Sequence, residues 1–123
     1  MKNMRIEKVL KQWNEGNFEL EISHAEARWC RVYEDSVEKG FDEIVIGFHD
    51  CVHESEVAEL IEAARTLKIE YFVFAGTFSG AFEVINEMVT NGARVGKFVV
   101  KEYTENRFGE EEVIKVPGMR IYL

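Results

Sequence analysis

The spacing of apolar positions changes several times along the chain, and each change marks an element. Ile6, Val9, Leu10 and Trp13 fall at i, i+3, i+4 and i+7, one face of a helix over residues 4–14. Gly16 stands where that helix would stop. Phe18, Leu20 and Ile22 then alternate with Glu19 and Glu21, the pattern of a half-exposed strand. Ser23-His24-Ala25-Glu26 has capping-box spacing and opens a helix that runs to Lys39, ahead of Gly40. Its apolar stripe is Ala25, Trp29, Val32, Tyr33 and Val37. A strand over 28–34 is the rival, because Trp29, Val32 and Tyr33 favour β structure; the cap and stop signals select the helix.

Ile44-Val45-Ile46-Gly47-Phe48 has no polar alternation and reads as a strand covered on both faces. A helix over 53–68 follows, burying Val57, Leu60, Ile61, Ala64 and Leu67, and Tyr71-Phe72-Val73-Phe74-Ala75 repeats the unbroken apolar run. After Gly76-Thr77-Phe78-Ser79-Gly80 comes a helix with Ala81, Phe82, Ile85 and Val89 as its apolar side, closed by Asn91-Gly92. Strand-like residues 95–103 and 111–116 flank a polar turn around Asn106 and Gly109, a hairpin. Pro117-Gly118 is expected to turn the chain into a last short piece, Ile121 to Leu123. The order α-β-α-β-α-β-α-β-β predicts a three-layer α/β fold, one domain over 1–123. It implies a mixed, mostly parallel sheet of about five strands with a C-terminal β-hairpin. Residues 42–48 and 70–75 should be its adjacent, parallel, central strands.

Composition narrows the class. Of 123 residues 46% are hydrophobic and 31% charged, enough apolar mass for a core and too much for a disordered chain. The net charge of −8 argues against broad nucleic-acid binding, which needs Lys and Arg to displace counterions. Lys2, Arg5, Glu7 and Lys8 interrupt any signal-peptide core, and no apolar run approaches the ~20 residues of a membrane span. Cys30 and Cys51 are expected as free thiols, which places the chain in a reducing cytoplasm.

The charge is unevenly spread. Residues 41–93 carry two positive and ten negative side chains, whereas 1–40 sum to −1 and 94–123 to +1. In open α/β sheets ligands collect beyond the carboxyl ends of the strands, and two loops of the acidic segment lie there. His49-Asp50-Cys51-Val52-His53-Glu54 holds side chains that ligate metals or move protons near neutral pH. Its H-D-x-x-H lettering is a weak relative of the H-E-x-x-H zinc motif, because His49 directly follows a strand instead of lying inside a helix. Asp50 also suits a plain helix cap, and acidic neighbours oppose a Cys51 thiolate. His49, Asp50 and Cys51 are thus the catalytic candidates, and His49, His53 and His24 the metal candidates. In the second loop, Gly76, Thr77, Ser79 and Gly80 could hold a ligand through backbone N–H groups and hydroxyls, with Thr77 or Ser79 as a simple cap being the alternative.

Two functions from different classes fit these features. The first is an acidic binding or regulatory domain, an adaptor or inhibitor, docking Glu54, Glu56, Glu59 and Glu62 on a basic macromolecular surface. The second is a pocket for a small ligand or a divalent metal at the strand ends, open to hydrolytic chemistry, built from the two loops. No cofactor is required by the first reading. An exposed sheet edge and the terminal hairpin further suggest a homodimer.

Overall fold

The computed structural model of the chain describes residues 1–16 and 21–123. Among them are four α-helices, α1 (Met4–Asn14), α2 (His24–Glu38), α3 (Val57–Thr66) and α4 (Ala81–Thr90). There are four strands, β1 (Val45–Ile46), β2 (Tyr71–Phe74), β3 (Arg94–Arg107) and β4 (Glu110–Tyr122), and a 3-10 turn at Glu54–Glu56. Phe18 and Leu20 of the strand expected before α2 lie outside the described residues, and Glu21 and Ile22 are in no strand.

Local chemistry sets the helix starts. Asn3 Oδ1 accepts from the Ile6 N–H at 2.9 Å, and its amide donates to the Leu67 carbonyl at 2.9 Å, tying α1 to the end of α3. The capping box of α2 is formed, with Ser23 Oγ accepting from the Glu26 N–H at 3.1 Å and the Glu26 carboxylate from the Ser23 N–H at 3.5 Å. Residues 28–34 are therefore helix. Trp29 Nε1 donates to the Leu60 carbonyl at 2.8 Å, joining α2 to α3 inside the core.

The sheet order is β1-β2-β4-β3, with β1 parallel to β2 and both other pairs antiparallel. The expected adjacency of the two unbroken apolar runs holds, Val45 facing Val73 and Ile46 facing Phe74. The mostly parallel, five-stranded sheet does not, and β1 is an edge strand of two residues instead of a central one. Two contacts explain its burial at the edge. The Val45 N–H donates to Ser36 Oγ of α2 at 3.0 Å, taking the place of a further strand, and Ser36 Oγ itself donates to the Val32 carbonyl.

The three-layer expectation also needs correction. The helices pack on one sheet face only, where Ile44, Ile46, Phe72, Phe74 and Ile121 meet Ile6, Trp29, Leu60, Ile61, Val84 and Met88. The opposite face, with Val45, Val73, Ala75 and Val116, is covered by Phe41, Phe48, Val99, Tyr103 and Ile114. The long β3–β4 hairpin curls over β1 and serves as the second cover, which is why both apolar runs lack alternation without helices on both sides. Nor does the chain turn at Pro117-Gly118, because β4 runs straight through them. Pro117 pairs with Val100 beyond the end of β2, so its missing N–H leaves no ladder position empty. Gly118 lets β4 approach closely, since a Cβ there would lie 2.6 Å from Val73 Cγ1 and 2.9 Å from the Phe74 carbonyl oxygen.

One helix turns a different side inward from that expected. The buried residues of α4 are Val84 and Met88, with Ala81 and Ile85 half-buried, while Phe82 is 85% exposed and Val89 is exposed.

Candidate functional site

The first loop leaves β1 through Gly47, whose φ of 91° and close approach to the Phe74 ring exclude a side chain. The Phe48 and His49 rings then pack against each other at a tilt of 55°, with centroids 4.3 Å apart. Arg28 of α2 organises the rest of the loop. Its Nε donates to Asp50 at 3.1 Å, Nη1 to Glu56 at 3.0 Å and Nη2 to the Cys51 carbonyl at 3.1 Å. Glu56 also accepts from the His53 N–H at 2.9 Å, so both its oxygens are engaged in holding the loop. Asp50 and Glu56 thus share one guanidinium from another segment, which offsets one of their two charges.

The structure distributes the histidines among different places. His49 lines a cavity of about 260 Å³ between α2 and β1, bounded by Arg28, Arg31, Asp35, Phe48 and Asp50. His24 lines another of about 400 Å³ between α2 and α3, beside Glu26, Glu59 and Glu62. His53 precedes the 3-10 turn, and no group of three or more His, Cys, Asp and Glu side chains fit to hold a metal ion occurs among the described residues. Cys51 is exposed, whereas Cys30 is buried and the pKa of its thiol is pushed up to about 11, first by burial and then by Glu26.

The second loop builds a more enclosed feature. Gly76, Thr77, Ser79 and Gly80, the ligand-binding candidates, line a cavity of about 480 Å³ whose walls include Phe74, Phe78, Ile85, Phe98 and Met119. Gly80, with φ of 92°, takes the N-cap position of α4, and neither Thr77 nor Ser79 caps that helix. Gly76 holds the wall together, because a Cβ on it would meet Phe74 Cζ at 2.5 Å and Phe78 Cε1 at 2.6 Å. The lining is predominantly apolar and suits an aliphatic or aromatic group better than a phosphate.

The acidic segment changes character once folded. Asp50 and Glu56 pair with Arg28, Asp42 and Glu43 pair with Lys101, and Glu43 also takes both Nε and Nη2 of Arg120. Glu54, Glu59 and Glu62 have no ion-pair partner among the described residues and are exposed. Of the four proposed docking carboxylates, Glu56 alone pairs with a cation of its own chain, Arg28, and its side chain stays 43% exposed.

Sequence reading missed the buried pair around Glu43, a carboxylate only 4% exposed and bridging the strands of the hairpin. Burial alone would raise its pKa; hydrogen bonds from Arg120 and Lys101 outweigh that and hold it below the ordinary glutamate value. The one local hint was an acidic pair, Asp42-Glu43, directly ahead of an apolar run.

The model of a protein family, described as Domain of unknown function (DUF7698), matches residues 28–123. The chain belongs to that family. The DUF7698 match starts at Arg28 itself and takes in every strand, α3, α4 and both loops, leaving α1 outside. No curated protein matches the chain, and no solved structure does. Among the described residues no helix is long and apolar enough to cross a membrane.

Proposed function

We propose that the chain is a macromolecule-binding module that docks its helical layer on a basic surface of a partner through Glu54, Glu59 and Glu62. The observation that supports this reading is the sorting of the carboxylates. Asp42, Glu43, Asp50 and Glu56 are ion-paired to Lys101, Arg120 and Arg28, while Glu59 and Glu62 stay free on the wall of the α2–α3 groove beside His24 and Glu26. A groove with acidic walls and Ala25 and Ala63 among its lining accommodates the aliphatic stem of a Lys or Arg while its charged head meets carboxylate. Single exposed pairs contribute about 0–1 kcal/mol each, so recognition rests on their summed field, which acts on encounter rate and partner choice.

The test is a paired capture from the native cell extract with the wild-type chain and the Glu54→Lys/Glu59→Lys/Glu62→Lys variant. It is followed by Kd measurements on the purified captured protein at low and high salt. The reading expects a partner retained by the wild type alone and a Kd that weakens with salt. Equal capture by both chains, or a salt-independent Kd, overturns it.

A second reading rests on the Gly76–Gly80 cavity, whose aromatic walls favour a small apolar ligand over one held by backbone N–H groups and hydroxyls. The neutral dye Nile red distinguishes the two: saturable binding lost in Phe98→Asp supports the cavity, and none removes it.

A further inference from the structure

We infer that β3 pairs antiparallel with β3 of a second copy of this chain, about a twofold axis at Tyr103. This surface is separate from the acidic face proposed above. β3 is the outer strand of the sheet, and no backbone hydrogen bond reaches its free side among the described residues. Arg107 and Glu110 close a two-residue turn, with φ of 54° at Phe108 and 80° at Gly109. In such a hairpin the closing pair is hydrogen-bonded, so odd-numbered residues of β3 turn their backbone groups to β4 and even-numbered ones, 98 to 106, turn theirs outward. Side-chain burial follows the same alternation. Val99, Lys101, Tyr103 and Glu105 are half-buried on the curled inner face, while Phe98, Val100, Glu102, Thr104 and Asn106 are exposed.

Charge and aromatic placement select the register. With the axis at Tyr103, Glu102 lies opposite Thr104 of the second copy and Val100 opposite Asn106, while Lys101 and Glu105, which face each other across the axis, keep their own partners Glu43 and Arg107. Phe98, 65% exposed, comes level with the fully exposed Phe108 at the other hairpin's tip, twice by symmetry. Moving the axis to Glu102 or Glu105 sets a glutamate against itself, and to Lys101 a lysine. Moving it to Thr104 sets Lys101 against Arg107, and to Val100 sets Phe98 against Glu102. Large exposed aromatics are the informative surface residues, and this register covers both pairs. The electrostatics also favour this side of the molecule. With Lys101 and Arg120 paired to Asp42 and Glu43, the other charges of residues 94–123 sum to −1, against −6 for the rest of 41–93, so two copies meeting at the hairpin repel less than two meeting at the acidic segment. An extended segment of another protein could use the same edge, but only a second copy gives the twofold match of Phe98 with Phe108.

Sedimentation equilibrium of the full chain, from micromolar to near-millimolar concentration, tests this. The wild type is expected to dimerise, and Phe108→Asp to weaken the dimer about tenfold or more while leaving the circular-dichroism spectrum of the fold unchanged. The register has its own arm. In a Cys51→Ser background, Glu102→Cys with Thr104→Cys places cysteines on opposed strands about 5.5 Å apart at Cα and should form a cross-chain disulfide with oxidised glutathione. A wild-type chain monomeric at every concentration overturns the inference. So does a dimer indifferent to Phe108→Asp, or the absence of that cross-link.

Discussion

Replacing Glu43 by Gln keeps the shape of a buried side chain and removes its charge, leaving Lys101 and Arg120 close together with only the exposed Asp42 to answer them. Breaking a fully buried ion pair typically costs ~3–5 kcal/mol. Lys101 keeps 13% and Arg120 29% of its side-chain surface in water, which lowers the expected loss to about 2–4 kcal/mol. That is a sizeable part of the roughly 5–15 kcal/mol holding an ordinary domain together, and should lower Tm by about 8–15 °C. The pH dependence gives a second reading of the same group. A carboxyl whose pKa is depressed on folding contributes stability above its unfolded pKa and loses it as pH falls through the folded value. The wild type should therefore lose stability on acidification from the ordinary glutamate range downwards, while Glu43→Gln lacks that component and the gap between them narrows. Urea titrations of both proteins at neutral and acid pH measure it. A variant within ~0.5 kcal/mol of wild type at neutral pH would refute the reasoning, as would a gap that does not shrink in acid.

Four other outcomes are expected from the packing. Phe74→Ala should cost on the order of 3–5 kcal/mol in urea unfolding, because Phe74 is buried between β1 and the cavity-lining Phe78. Arg28→Ala should cost about 1–3 kcal/mol and speed amide hydrogen exchange over residues 49–56, since three of its hydrogen bonds end there. Gly118→Ala should destabilise by over ~1 kcal/mol in thermal unfolding, whereas Phe82→Asp should fall within ~0.5 kcal/mol of wild type, reversing the order expected if Phe82 were core.

The elements were legible where their cause was local. Ser23 and Glu26 lie three residues apart, and the α2 start they imply is the one observed. Leu60, Ile61 and Ala64 were readable as the buried side of α3 for the same reason. The errors came from long-range facts. On α4 the spacing of Ala81, Phe82, Ile85 and Val89 is as helical as that of Val84 and Met88, and only the position of the sheet decides between them. Pro117 reads as a turn unless the shortness of β2 is known. Two apolar runs without alternation require cover on both faces, but the pattern is silent on whether helices or a curled hairpin supply it. At the candidate site the limits were sharper. Arg28 reaches Asp50 across 22 positions and Arg120 reaches Glu43 across 77, so which carboxylates are neutralised is a property of the fold and absent from any window of sequence.

This neutralisation bears on how two surfaces could work together. Read as a string, the chain places its whole excess charge in residues 41–93; once folded, that segment's charge is partly cancelled by Arg28, Lys101 and Arg120. Lys101 and Arg120 come from the hairpin, so the ion pairs that discharge the sheet also fix where the hairpin lies. Those same pairs leave Glu59 and Glu62 free on α3, which packs on the sheet face opposite the curled hairpin. Fields of exposed charges fade over about 8 Å at physiological salt, a distance shorter than the thickness of a helix layer on a sheet. On the proposed reading, a dimer formed along β3 would therefore display two acidic faces without either repelling the other, and a partner with two basic sites would gain by avidity. Glu43 would then matter to binding without touching any partner. Its replacement should loosen the hairpin and weaken self-association, yet leave the affinity of one acidic face for one basic site unchanged.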